Sequence, residues 1–305
     1  MTGGPSAFRA GERVLLIDRR RRRYLVRLEE GQSFHTHAGV VGHAQLIGQP
    51  PGSVASSSSG ARFVALRPTL ADLVVEMPRG AQVIYPKDLG ALLMLADIFP
   101  GARVLESGVG SGALSMTMLR AGAVITGYEI RDDFADRAAR NVSEGLGEEA
   151  AARFEVRVAD IYEGVEGTGY DRVVLDLPEP WRVIKHAEEV LAPGGILAAY
   201  LPSIIQVSQL REALDQSGFG FASTQEVLVR TWHVEGLAVR PDHRMVAHTG
   251  FLTAARLLGP DATHWDRKAE GGIGPGSKGR DRRPGVGGAP RSDRGWVGAP
   301  SRPEA

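Results

Sequence analysis

Three glycines spaced two residues apart mark the first place where this chain could do chemistry. In Arg103–Ser115, "RVLESGVGSGALS", an apolar run enters Gly108, Gly110 and Gly112, and a helical pattern follows. Missing side chains there permit a tight turn and let a ligand lie close to the backbone at a helix N-terminus. The same "GVGSGA" satisfies the dinucleotide fingerprint, so a nicotinamide-dependent oxidoreductase is a rival reading. A glycine turn that only lets strand and helix pack is the plain alternative.

Four carboxylates narrow the choice. Glu106 lies two residues before the first glycine, Glu129 ends "VITGYE", Asp160 ends "VRVAD", and Asp176 stands in "LDLPEPW". Each follows an apolar run, so all fall along the carboxyl edge of a parallel sheet, where such sheets bind ligands. Glu129 is placed to accept two ribose hydroxyls and Asp160 to accept an adenine amine. Glu106 would repel a pyrophosphate but favour an ammonium or sulfonium. A nucleoside carrying positive charge is the ligand implied, although any one of these acids alone reads as a solvated strand end. The prolines of "LDLPEPW" fix φ and remove donors, so the chain leaves the sheet there as a stiff turn that keeps Asp176 aimed. Trp181 is expected to wall the pocket, and Glu179 to lie on its rim.

These residues need a frame, and the chain supplies one. Strand-like runs at 103–105, 124–128, 154–158, 172–175 and 196–200 alternate with helical patterns at 87–99, 113–121, 132–144, 181–191 and 205–217. That rhythm gives an α/β fold, a parallel sheet with helices on both faces. "STQEVLVRTWHV" and "HTGFLTAARLL" follow with no helix between, and are expected to pair antiparallel at the sheet edge. Short apolar runs between 11 and 85, separated by Gly-rich and Ser-rich turns, predict a small β-rich unit. The division expected is 1–85, 86–259 and a Gly/Pro/Arg-rich, disordered tail over 260–305.

Composition sets the remaining limits. The chain has 305 residues, no cysteine, and 36 basic against 36 acidic residues. Thiolate and disulfide chemistry is excluded, and no apolar run is long enough for a bilayer span or a signal peptide, which points to a cytoplasmic protein. The neutral total hides an uneven distribution. Residues 1–101 hold 12 basic and 8 acidic groups, residues 102–259 hold 15 and 22, and residues 260–305 hold 9 and 6. The basic ends suit a polyanion. Within "DRRRRRY", Arg19 to Arg23, including Arg20 and Arg22, are candidates for phosphate contacts, with a solvated hairpin as the alternative. His35, His37, His43, His243 and His248 are spread over loops without close carboxylates, so no metal is expected; they read as surface or RNA-contact residues.

"VLESGVGSGALS" with "YE", "VAD" and the strand-end aspartate resembles class I S-adenosylmethionine-dependent methyltransferases. More narrowly, "RPTLADLVVEMPRGAQVIYPKDLGALLMLADIFPGARVLESGVGSGAL", "LDLPEPW" and "WHVEGLAVRPDHRMVAHTGFL" resemble bacterial tRNA (adenine-58-N1)-methyltransferases, the actinobacterial members especially. Ser107 departs from the small apolar residue expected there. The resemblance implies a Rossmann-like domain with a terminal antiparallel strand, a small N-terminal β-barrel, and a homotetramer that methylates tRNA in its T-loop. It implies S-adenosylmethionine contacts at Ser111, Gly112, Ala113, Leu114, Glu129, Phe134, Asp160 and Asp176, and target-adenine contacts at Tyr85 and Tyr200. Core packing is the alternative for both tyrosines. Asp176 would accept a hydrogen bond from the adenine N6 amine and so raise electron density at N1; capping the next helix is its alternative role. A methyltransferase with another substrate, and a noncatalytic RNA-binding subunit, are the remaining rivals.

Overall fold

The computed structural model describes residues 7–80 and 82–262. The tail expectation lies outside these residues, apart from a single 3-10 turn at Pro260–Ala262.

The N-terminal strands are β1 (Arg13–Asp18), β2 (Arg23–Arg27), β3 (Ser33–Thr36), β4 (Gly39–Gly42), β5 (Val54–Ser56) and β6 (Arg62–Leu66). They form an antiparallel sheet in the order β2-β1-β6-β5 and a β3-β4 hairpin. Phe8, Leu16, Leu28, Leu46 and Phe63 fill the space they enclose. His43 is buried there too, its Nδ1 accepting the Glu29 N–H at 3.0 Å. It is therefore a core hydrogen-bonding residue and not a surface one. A helix absent from the sequence expectation follows, α1 (Leu70–Glu76). Its N-cap Thr69 accepts from the Asp72 N–H while the Asp72 carboxylate accepts from the Thr69 N–H, a reciprocal cap that satisfies two orphan donors.

Next come α2 (Pro86–Leu95), β7 (Arg103–Ser107), α3 (Ala113–Arg120), β8 (Val124–Glu129), α4 (Asp132–Leu146), α5 (Glu148–Ala151), β9 (Phe154–Val158) and β10 (Tyr170–Leu175). The chain continues through α6 (Ile184–Val190), β11 (Leu191–Leu201), α7 (Ile204–Asp215), β12 (Phe219–Glu226), β13 (Trp232–Glu235), β14 (Ala238–Pro241) and β15 (Phe251–Leu257). Seven strands make one sheet in the order β12-β15-β11-β10-β7-β8-β9. The five from β9 to β11 run parallel, and β15 pairs antiparallel with both β11 and β12. The expected antiparallel pair exists, but β15 is interior and β12 forms the edge at that end, with β9 at the other. "WHV" does not extend β12; it opens a separate β13-β14 hairpin.

Both faces of the sheet are covered, so its strands read as continuous apolar runs rather than alternating ones. Val104, Val174, Ile196 and Ala198 point into the core shared with α1, α2 and α3. Leu105, Val173, Leu175, Leu197 and Ala199 point into the core shared with α6 and α7. Period two then puts Glu106 and Asp176 on the α2–α3 side, at the carboxyl ends of the two central strands. The register pairs Val174 with Glu106 and Leu175 with Ser107.

The N-terminal sheet is tied to the rest by charge. Arg13 and Arg27 both reach Glu144 of α4, and Arg23 pairs with Asp72 of α1. Asp72 thus serves as cap and tether together. Asp72→Ala is expected to lower stability by about 1–2 kcal/mol, read as a fall in the urea midpoint; an unchanged midpoint would show that neither role matters.

Candidate functional site

The glycine loop is shaped by one close approach. Gly108 sits at φ +83°, and a Cβ built there would lie 2.0 Å from the Asp176 carbonyl oxygen. No side chain fits, so β7 and β10 splay apart at their ends by only the width of a bare backbone. The Asp176 N–H donates to the Ser107 carbonyl at 2.9 Å and closes the joint. Gly112, at φ +84°, is the N-cap of α3 and would meet Ala138 of α4 at 3.3 Å. Asn141 of α4 holds the loop from behind, its Nδ2 donating to the carbonyls of Ser111 and Pro78. The Ser111 hydroxyl accepts from the Gly80 N–H at 3.4 Å.

A cavity of about 470 Å³ opens over this loop. Of the residues singled out in the sequence, Gly108, Gly110, Ser111, Ala113, Leu114, Glu129, Phe134 and Asp176 line it, and Gly112 does not. A smaller space of about 190 Å³ shares Gly108 and Glu129 and adds Asp160 and Tyr162. Glu129 stands between the two, its Oε2 accepting the Gly110 N–H at 2.9 Å and its Oε1 the Arg131 N–H at 3.1 Å. Asp160 is turned by the Tyr162 N–H at 2.9 Å. Val83, Ile84, Ile130, Leu177 and Pro178 complete the walls. Sequence reading passed over them because apolar residues beside a loop look like core. Trp181 does not wall the cavity; it packs against the core beneath α6, and its place at the rim falls to Leu177 and Pro178.

Two carboxyls in this region are far from their ordinary behaviour. Glu106 is fully buried, and among the described residues no hydrogen bond of ordinary geometry reaches its oxygens, Ser115 being the polar group beside them. Burial pushes its carboxyl up to about 8, nearby Ser115 offsets part of that, and the neighbouring Asp176 and Glu129 add to it. Glu106 therefore supports the cavity from below and does not line it. Burial likewise raises the Asp176 carboxyl to about 7. Asp176 caps neither following helical turn: Glu179 precedes the 3-10 turn Pro180–Val183, and Val183 precedes α6.

Charge selects the ligand. The 470 Å³ cavity has two acids and, among its described residues, no Lys, Arg or His. Such a lining disfavours a diphosphate bridge and suits a cation, which weighs against a nicotinamide dinucleotide. The residues present fit S-adenosylmethionine: Glu129 and Asp160 are the carboxylates that would hold its ribose hydroxyls and adenine amine, and no described basic residue in the lining opposes its sulfonium.

The tyrosines divide. Tyr85 is exposed at the N-cap of α2 and lines a separate open cavity of about 640 Å³ with Lys87, His243 and Arg244. Tyr200 is half-buried at the end of β11, its hydroxyl donating to the Thr249 carbonyl at 2.5 Å. Burial pushes its phenol up to about 12, and the charges of Asp88 and Asp176 add to that. The arginine run divides as well. Arg19, Arg20 and Arg21 stand exposed at the β1-β2 turn, whereas Arg22 folds back on Asp18 at 2.6 Å and Arg23 on Asp72. Among the described residues no group of three His, Asp or Glu could hold a metal ion, and no helix is long and apolar enough to cross a membrane.

A carboxyl whose folded pKa exceeds its unfolded value contributes stability that is complete below the unfolded value and lost as pH rises through the folded one. For Glu106 that window runs from 4.5 to about 8. The ligand-free protein is expected to lose melting temperature across it, and Glu106→Gln to flatten the fall above pH 7. An unchanged slope in the variant would refute the assignment.

The family described as "tRNA methyltransferase complex GCD14 subunit" matches residues 63–240, and the "TrmI-like N-terminal" family matches residues 6–55. The tRNA (adenine(58)-N(1))-methyltransferase TrmI of Thermus thermophilus is 39% identical over 246 residues, covering 80% of this chain and 96% of the relative. The Methanocaldococcus jannaschii enzyme named for adenines 57 and 58 is 34% identical over 270 residues, covering 80% and 94%. Two solved structures superpose over 83% of the chain. An S-adenosylmethionine-dependent O-methyltransferase from Thermotoga maritima gives a TM-score of 0.79 at 32% identity, with 96% of it covered. TrmI from Aquifex aeolicus gives 0.72 at 27%, with 99% covered. With its glycine loop, acid-lined cavity and β-rich N-terminal unit all accounted for, the chain belongs to the TrmI family of S-adenosylmethionine-dependent tRNA methyltransferases.

Proposed function

We propose that this protein transfers the methyl group of S-adenosylmethionine to N1 of adenine 58 in tRNA, with Asp176 as the residue that acts on the base. The observation that carries the reading is the placement of Asp176: it lines the cofactor cavity, its carboxylate accepts no hydrogen bond among the described residues, and its backbone is locked to the glycine loop. S-adenosylmethionine, when bound, supplies an electrophilic methyl on a sulfonium. The chain's part is to hold the acceptor in line and to make its N1 more nucleophilic.

Adenine N1 is a weak nucleophile, and its methylation places positive charge on the ring. Asp176 accepts a hydrogen bond from the N6 amine, which raises electron density at N1 and stabilises that charge as it forms. A carboxyl raised to about 7 is poised to take up the N6 proton if the product leaves neutral. Two prolines after Leu177 keep the carboxylate from swinging away, since Pro178 and Pro180 fix φ on either side of Glu179.

The target base must leave its stack, at a cost of about a few kcal/mol. Binding elsewhere must offset this. Arg19, Arg20 and Arg21 at the β1-β2 turn are placed for phosphate contacts, whereas Arg22 is engaged by Asp18 and contributes less. Tyr85 and Tyr200 are the aromatic residues assigned to the incoming adenine in this reading, which the closeness of Tyr200 to both Asp176 and Tyr85 supports. The homotetramer belongs to this reading: Trp232, Val234, Leu237 and Val239 stand exposed on the β13-β14 hairpin, an apolar surface suited to a second copy.

Two variants separate binding from chemistry. Asp176→Ala is expected to lower kcat for methyl transfer to unmodified tRNA by about 10²–10³-fold, with S-adenosylmethionine affinity changed far less. Gly108→Ala is expected to abolish cofactor binding measured calorimetrically, because the added methyl collides with the Asp176 carbonyl. Label recovered at a position other than N1 of adenine 58 would overturn the substrate assignment.

A further inference from the structure

The residues just after Tyr85 form a polar cluster that the methyl-transfer scheme leaves unused. Lys87 and Asp88 open α2, and both are withdrawn from solvent: the Lys87 side chain is 9% exposed and the Asp88 side chain 0%. Burying an ammonium and a carboxylate is costly unless each is fully hydrogen-bonded. Here they are. Lys87 Nζ donates to Asp88 Oδ1 at 2.7 Å, to the Val227 carbonyl at 2.7 Å and to Thr249 Oγ1 at 2.5 Å. Thr249 Oγ1 in turn donates to Asp88 Oδ2 at 2.6 Å.

The partners are far apart in sequence but meaningful in space. Val227 follows β12 and Thr249 precedes β15, so they are the two feet of the excursion that carries the β13-β14 hairpin. One ammonium therefore staples both feet to the start of α2. The Thr249 carbonyl also receives the Tyr200 hydroxyl. Beyond it, Gly250 leaves room for the Tyr200 ring, which would lie 2.4 Å from a Cβ there. Tyr85, two residues before Lys87, and Tyr200, bonded to Thr249, are thus joined through a single buried node.

We propose that Lys87, Asp88 and Thr249 are positioning residues that fix Tyr85, Tyr200 and the feet of the 227–249 excursion relative to Asp176, so that a tRNA adenine entering between the tyrosines arrives aligned for transfer. The inference rests on the reading of the site as an adenine N1-methyltransferase. The node touches neither the cofactor cavity nor its walls. Its loss should misalign the acceptor while leaving cofactor binding intact.

Thr249→Val removes the hydroxyl at nearly constant shape and leaves the Tyr200 acceptor, a backbone carbonyl, in place. Steady-state methylation of unmodified tRNA is expected to show kcat down about 10- to 100-fold, with KM for tRNA and calorimetric Kd for S-adenosylmethionine within about threefold of the parent. Thr249→Ser, which restores the hydroxyl, is expected to recover kcat to within about threefold. Lys87→Met keeps the aliphatic stem and serves as the second variant should Thr249→Val lose its melting transition; the same kcat loss with unchanged cofactor Kd is expected. Parent-like kcat in either folded variant, or no recovery in Thr249→Ser, overturns the node. Failure of the parent chain itself to methylate adenine 58 would instead overturn the reading on which the node depends.

Discussion

The structure turns on one contact between two backbones, Gly108 against the carbonyl of Asp176. It brings the end of the first strand of the parallel sheet and the end of the fourth to within the thickness of a main chain. Because the glycine loop begins at one partner and the acid proposed to act on the base is the other, the two halves of the proposed site share a single rigid joint. A carbonyl cannot rotate away as a side chain can, so any residue larger than glycine must separate the strands. Register then does the rest: with Leu175 opposite Ser107, period two sends Asp176 and Glu106 to the same side of the sheet.

Electrostatics follows from this crowding. Glu106, Glu129, Asp160 and Asp176 gather at one sheet edge, and the two adjoining cavities that Glu129, Asp160 and Asp176 line hold no described basic residue. Clustered carboxylates repel one another, and burial of Glu106 and Asp176 makes their ionisation harder still. Both are thereby held toward their neutral forms. A cationic ligand beside them would favour their ionised forms.

Much of this was legible in the sequence because it depends on local pattern. The five parallel strands, the glycine loop and the four strand-end acids follow from apolar runs and from the residues that end them. What escaped depends on long-range pairing. Nothing local in "PKD" says that its lysine reaches Val227 and Thr249, more than 130 residues away. Nothing in "STQEVLVRTWHV" shows where β12 stops and a new hairpin begins. His43 and Trp181 looked available by residue type, yet each was claimed by a nearby core. Conversely, two of the five consecutive arginines are spent on Asp18 and Asp72, which no charge count reveals.

The buried Lys87–Asp88 pair bears on why the acceptor side is built differently from the donor side. The donor side is held by backbone geometry, through glycines and strand register, and needs no buried ion pair to define it. The acceptor side is assembled from α2, the end of β11 and an excursion of some twenty residues, none of which is fixed to the others by the sheet alone. Apolar packing would hold these pieces together but would tolerate slippage, since dispersion is weakly directional. An ammonium with three fixed acceptors does not slip, because losing any one leaves a buried charge short of a partner. Directional bonds are therefore concentrated where three independent segments must agree on one position for a base extracted from tRNA.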